Sequence, residues 1–185
     1  MTPDFLIPFV TITLAELGDK TMLAMIALSS RHKKAHFRLF LGSFFGVLLV
    51  DGLAILTGAY LLTFLPIKVI KIIAGLLFVG FGIYTLFFQK VENVKVHDGN
   101  AFLAAFSLMF MTELADKTQI AAALFATEYN PWLVLVSTVL GISLVTGLAI
   151  FIGKNINKYI KPKTVNIVSG IIFIVVGIAS FLFSY

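Results

Sequence analysis

Two short stretches of the sequence carry most of its chemistry. Glu16-Leu17-Gly18-Asp19-Lys20-Thr21 and Glu113-Leu114-Ala115-Asp116-Lys117-Thr118 each set two carboxylates, an ammonium and a hydroxyl near the centre of an apolar run long enough to cross a bilayer. A charged side chain at that depth costs about 2.5–3.5 kcal/mol on insertion scales, so such residues mark ion and substrate pathways. Asp51 adds a fifth acid in a third apolar run; five acids against two lysines leave a formal balance of −3. One divalent cation reduces that to −1, and one proton removes the remainder. Hard ions such as Ca²⁺ and Mn²⁺ take carboxylate, carbonyl and hydroxyl oxygens. Carboxylates that crowd one another hold protons more tightly, so metal binding and proton release would compete, which is the chemistry of cation/proton exchange.

If each stretch is continuous helix, positions i, i+3 and i+4 share a face. Glu16, Asp19 and Lys20 then form one arc with Thr13 at its edge, and Gly18 lies opposite, suited to a close helix contact. Glu113, Asp116 and Lys117 form the same arc, but there Thr112 and Gln119 flank Asp116, where the first stretch has Ala15 and Met22. The competing reading makes Glu16–Lys20 and Glu113–Lys117 helical i,i+4 ion pairs that render each other tolerable. It leaves Asp19, Asp116 and Asp51 unexplained, so the four motif acids are read as cation ligands and the two lysines as neutralising or gating counter-charge. Asp51 stays open between a proton-relay or ligand role and pairing with Lys20 or Lys117. His32, His36 and His97 fall in loops and are expected to be solvated; Met22, Met25, Met109 and Met111 are read as packing.

The elements that must position these groups follow from composition. The 185 residues are 59% hydrophobic with no cysteine, and the mean hydropathy of +1.03 is too high for a soluble core with a polar face. The absence of cysteine excludes disulfides and thiolate metal sites, and no nucleophile–base set suggests an enzyme. The net charge of +5 sits mostly in loops and is read as membrane orientation rather than nucleic-acid affinity. Residues Met1 to Pro8 carry Asp4 and no Lys or Arg, unlike the basic start of a signal peptide.

A hydrocarbon core about 30 Å thick needs about 20 helical residues. Six runs qualify, at about 5–28, 39–62, 67–88, 101–126, 132–152 and 165–183. Pro66 and Pro162 stand at helix starts, and Asn130-Pro131 makes a tight turn. The motif recurs at an offset of 97, while Leu49 to Gly58 recurs as Leu144 to Gly153, identical at seven of ten positions, at an offset of 95. Gly75, Phe78, Gly82 and Ile83 return at that same offset as Gly170, Phe173, Gly177 and Ile178. The chain is therefore one transmembrane domain, 1–185, made of two copies at about 1–89 and 101–185. Three spans per copy is an odd number, so the copies enter from opposite sides: an all-α fold of six transmembrane helices in a 3+3 inverted-topology repeat, with a site near the midplane where the copies meet. Glycine spacing at Gly42/Gly46, Gly75/Gly82 and Gly170/Gly177 predicts close helix contacts. The Lys/Arg-rich loops put both termini outside and the basic loops in the cytoplasm. Nothing in the sequence specifies an oligomer.

The duplicated pattern Glu-x-Gly-Asp-Lys/Arg-Ser/Thr, in the first and fourth of six spans, resembles the signature of the calcium/manganese cation-proton antiporter family, and the resemblance covers essentially the whole chain. It implies Glu16, Asp19, Glu113 and Asp116 as cation-site residues, with Thr21, Thr118 and Gln119 as secondary polar groups. Ala115 stands where the family has Gly, a departure from symmetry between the half-sites. The implied activity is export of Mn²⁺, or of Ca²⁺, from the cytoplasm in exchange for protons, with the ion as cargo and no cofactor. Short loops and the lack of targeting sequence point to a bacterial inner membrane. Rival readings are an exporter of a small cationic organic solute, such as an amino acid, and a passive cation channel.

Overall fold

The computed structural model describes residues 2–61, 64, 66–87, 99–114, 116–156 and 162–182. Among them are eight helices and no strand: α1 (Pro3–Glu16), α2 (Lys20–Arg31), α3 (His36–Leu61), α4 (Ile67–Phe87), α5 (Ala101–Glu113), α6 (Lys117–Glu128), α7 (Pro131–Ile156) and α8 (Pro162–Leu182). The expected unbroken helices over 5–28 and 101–126 are each two helices. The remaining four runs are single helices. Most of the linker between the halves, with His97, and the lysines at 158 and 161 lie outside the described residues, as does Ala115.

The breaks fall inside the motifs. Leu17 is extended at the end of α1, Gly18 takes φ 73°, and Asp19 is extended at the start of α2. A positive φ costs an L-residue about 1–2 kcal/mol and glycine almost nothing, so Gly18 serves the turn, not the helix contact expected of it. Asp19 N–H donates to Glu16 O at 3.2 Å, closing the turn, and Asp116 N–H donates to Glu113 O at 3.0 Å in the second copy. Aspartate favours the N-cap because its carboxylate usually accepts a first-turn N–H. Neither Asp19 nor Asp116 makes that bond, so both carboxylates are left for other partners.

Helices α3, α4 and α7 contain segments long and apolar enough to cross a membrane, at His36–Tyr60, Lys68–Phe87 and Pro131–Ile152; α5 and the Ile167–Leu182 part of α8 are shorter apolar helices. Large apolar side chains such as Leu53, Leu76, Leu144 and Val175 point outward from four of these helices. Glycines set the close contacts, as their spacing predicts. A Cβ on Gly82 would come 2.7 Å from Gly170 O, and one on Gly75 would come 3.0 Å from Gly177 O, so α4 and α8 cross antiparallel at backbone distance. On α3 and α7, Gly52 faces Leu135 and Gly147 faces Phe40, again antiparallel, whereas Gly42 and Gly46 set α3 parallel to α5 against Phe102 and Phe106. Helix α1 packs on α7 as its repeat mate α5 packs on α3. The core beside α4 and α8 is aromatic: Phe78 lies tilted against Phe125 at 4.9 Å and stacks with its own repeat mate Phe173 at 6.1 Å between ring centroids.

Candidate functional site

The two helix breaks meet. Carboxylate oxygens of Glu16, Asp19 and Asp116 lie within 4.8 Å of one another, so acids from both copies share one small volume. Glu16 and Asp19 are almost fully buried. One oxygen of Glu16, Oε1, is shielded from solvent and has no hydrogen-bond partner.

The lysines do not pair along their own helices. The expected Glu16–Lys20 and Glu113–Lys117 pairs presume continuous helix, and the breaks remove that geometry. Instead Lys20 Nζ reaches across to Asp116 Oδ1 at 2.8 Å, and Lys117 Nζ lies 3.2 Å from Asp19 Oδ2 and 3.4 Å from Asp116 Oδ2. Each copy thus neutralises the other's aspartate. The two ammonium groups are not equivalent: the Lys20 side chain is 28% exposed and that of Lys117 is 8% exposed.

Glu113, also buried, stands outside the group of three. Thr21 Oγ1 donates to its Oε1 at 2.9 Å, and Thr118 Oγ1 to its Oε2 at 3.3 Å. Thr118 also approaches Asp116 Oδ2 at 3.3 Å. Strict repeat symmetry would send Thr118 to Glu16; it goes to its own copy's acid, leaving Glu113 clamped and Glu16 Oε1 without a hydrogen bond. Asp51, on α3, is fully buried, and neither of its carboxylate oxygens has a hydrogen-bond partner. The structure therefore does not pair it with Lys20 or Lys117. It is close enough for its charge to act on Glu16, Glu113 and Asp116.

The remaining expected polar groups divide. Gln119 Nε2 donates to Val50 O at 3.2 Å, pinning α6 to α3 one residue from Asp51. Thr112 Oγ1 is spent on Leu108 O in its own helix at 2.8 Å. Thr13 Oγ1 is shielded and unpartnered, where α1 meets Gly141 of α7. Met22, expected only to pack, accepts the Gly18 N–H on its sulfur at 3.1 Å, and Met111 turns outward. His32 is half-buried with Nε2 shielded, and His36 sets its ring against Phe151, so neither is the freely solvated loop residue expected. Sequence reasoning missed Ser169 of α8, whose hydroxyl donates to Leu14 O at 2.7 Å, near the carbonyl end of α1. The available signal was its mismatch with Ala74, its counterpart in the first copy.

The sequence matches known proteins along nearly its whole length. Residues 4–93 and 101–185 match the family described as "Divalent cation/proton antiporter GDT1". A "Putative manganese exporter" of Vibrio cholerae is 31% identical over 151 residues, covering 80% of this chain and 75% of that protein. A GDT1-like protein of Synechocystis is 28% identical over 192 residues, covering 91% and 92% respectively. The divalent cation/proton antiporter GDT1 of Saccharomyces cerevisiae is 22% identical over 228 residues, covering 92% and 80%. No solved structure matches. The chain belongs to the GDT1 family of divalent cation/proton antiporters.

Proposed function

We propose that this antiporter carries Mn²⁺, with Ca²⁺ as the other candidate cargo, out of the cytoplasm in exchange for protons. One observation carries the reading: three carboxylates drawn from both copies converge within 4.8 Å where two helices are interrupted. Interrupted spans that expose charge and backbone between repeats are the usual ion sites of secondary transporters. Irregular backbone at membrane depth is tolerated only where protein covers it or a cavity opens beside it. In this reading Glu16, Asp19 and Asp116 hold the cation. Glu113, fixed by Thr21 and Thr118, and Asp51 supply further negative charge and the proton-coupling positions. Lys20 and Lys117 are counter-charge. The bundle is a six-span 3+3 inverted repeat, consistent with the antiparallel α3/α7 and α4/α8 contacts. It lies in a bacterial inner membrane with both termini outside.

The test is flux in proteoliposomes. Glu16→Gln and Asp116→Asn are each expected to abolish Mn²⁺ uptake while the purified protein elutes as a monodisperse, helical species. A trapped pH dye should report proton movement in step with the metal. Unchanged metal flux in either variant overturns the site, and metal flux with a silent dye overturns the coupling.

A further inference from the structure

We infer that Lys117 is a tethered competitor for the cation: its ammonium occupies the position a bound divalent ion would take, and it must leave before the ion can bind. This rests on the cation-site reading above and adds to it which lysine competes and how.

The geometry separates the two lysines. Lys117 Nζ bridges Oδ2 of Asp19 and Oδ2 of Asp116, at 3.2 and 3.4 Å, and so stands between the aspartates of opposite copies. Lys20 reaches Asp116 on the other oxygen, at 2.8 Å. A Ca²⁺ ion sits about 2.3–2.6 Å from its carboxylate oxygens. An ion that joins Asp19 to Asp116 through the oxygens Lys117 now holds would fall where the ammonium lies. Two positive centres do not share that volume at membrane depth, since little solvent screens them.

Burial sharpens the distinction. Lys20 is 28% exposed and can neutralise Asp116 from the rim while the ion is bound. Lys117 is 8% exposed, so it lies inside the acid cluster rather than at its edge. The unpartnered Glu16 Oε1 completes the picture. Lys117 lies at ion-pair distance from the two aspartates but leaves Asp19 Oδ2, like Glu16 Oε1, without a hydrogen bond, whereas an ion bound among the three could take oxygens from all of them. The lysine thus keeps the empty site tolerable without matching it as well as the ion does. An outward swing of this one side chain would vacate the ion's place, and it returns when the ion departs.

The experiment compares wild type, Lys117→Met and Lys20→Met in nanodiscs at fixed pH and ionic strength. Each is titrated with MnCl₂ and with CaCl₂, and thermal unfolding gives an apparent Kd. Removing the competitor should lower the Lys117→Met Kd by about tenfold, equivalent to about 1.4 kcal/mol, with less than about a third of that energy for Lys20→Met. Lys117→Arg, which keeps the charge, should not tighten binding. Wild-type lysine acetylation read by mass spectrometry provides a second measurement that does not require the variant to fold: Mn²⁺ should raise labelling at Lys117 and leave Lys20 unchanged. A wild-type shift with Mn²⁺ but no tightening in a folded Lys117→Met overturns the competition alone. If that variant does not fold, unchanged Lys117 labelling does the same. No cation-dependent shift in any variant overturns the cation site itself, and the competition with it.

Discussion

Repeat symmetry makes Thr21 and Thr118 equivalent, and the structure makes them unequal, so replacing each by valine tests the fold at the site. Valine keeps the shape and removes the hydroxyl. Thr21 lies 2.9 Å from Glu113 Oε1, both residues are buried, and Thr21 is that oxygen's hydroxyl donor. Removing one partner and stranding a buried polar group costs about 1–3 kcal/mol. Thr21→Val should therefore destabilise by about 2 kcal/mol; at about 2–4 °C per kcal/mol for a chain of this size, the apparent Tm falls by about 4–8 °C. Thr118 makes a longer contact of 3.3 Å to Glu113 and shares its hydroxyl with Asp116, also at 3.3 Å. Asp116 keeps two ammonium partners without it, so Thr118→Val should cost about 1 kcal/mol, or about 2–4 °C. The assay is thermal unfolding in nanodiscs with a chelator present, with Thr21→Ser as the control that restores the hydroxyl. Neither threonine belongs to the three-acid group, so Mn²⁺ should still stabilise both variants. Equal losses for the two valines, or a larger loss for Thr118→Val, would refute the asymmetric clamp on Glu113.

Two further outcomes follow from local geometry. Gly18→Ala must place a Cβ at φ 73°, so it should destabilise by about 1–2 kcal/mol, with Gly18→Asn milder because asparagine tolerates that region; an unchanged Tm for Gly18→Ala would mean the turn is held by something else. Beyond the fourth apolar run, burial pushes the Glu128 carboxyl above its ordinary range, against the opposing pull of a Ser180 hydrogen bond and the Lys71 ammonium. A carboxyl raised on folding contributes stability at low pH that is lost as pH rises through its folded value. The Tm of Glu128→Gln should therefore gain on that of the wild type as pH rises above the ordinary carboxylate range, and a constant difference as pH rises would refute it.

What was legible in the sequence was what duplication writes into it. Constant offsets marked two copies of the motif, and of the four motif acids read as ligands three converge while Glu113 stands apart. The glycine pairs marked helices that pack closely because a missing side chain is visible in a sequence, but the partners, α8 for α4 and α5 for α3, emerge only in the bundle. The breaks were not legible. Glutamate and aspartate three apart satisfy a helix face and a helix–turn–helix equally, and what decides is the backbone angle of Gly18. In the second copy Ala115 hides even that hint. Pairing failed for the same reason: i,i+4 spacing presumes the helix the break destroys, and partners 96 or 98 positions apart emerge only when the copies are laid together. Asp51 was visible as an anomaly opposite Thr146, but its lack of a partner is a property of the assembled bundle.

The exchange of lysines between copies has a consequence for how such a chain changes over evolutionary time. The nearest lysine contact of each aspartate comes from the other half, Lys117 on Asp19 and Lys20 on Asp116, although Lys117 also reaches Asp116 of its own half. A half expressed alone would carry Asp19 and Lys20 without these opposite-copy partners, so neither half is a self-sufficient module in charge. The two motifs are thereby locked into joint inheritance. A substitution at either lysine is first felt by the other copy's aspartate, and a compensating change is expected there, about a hundred residues away along the chain, rather than beside it.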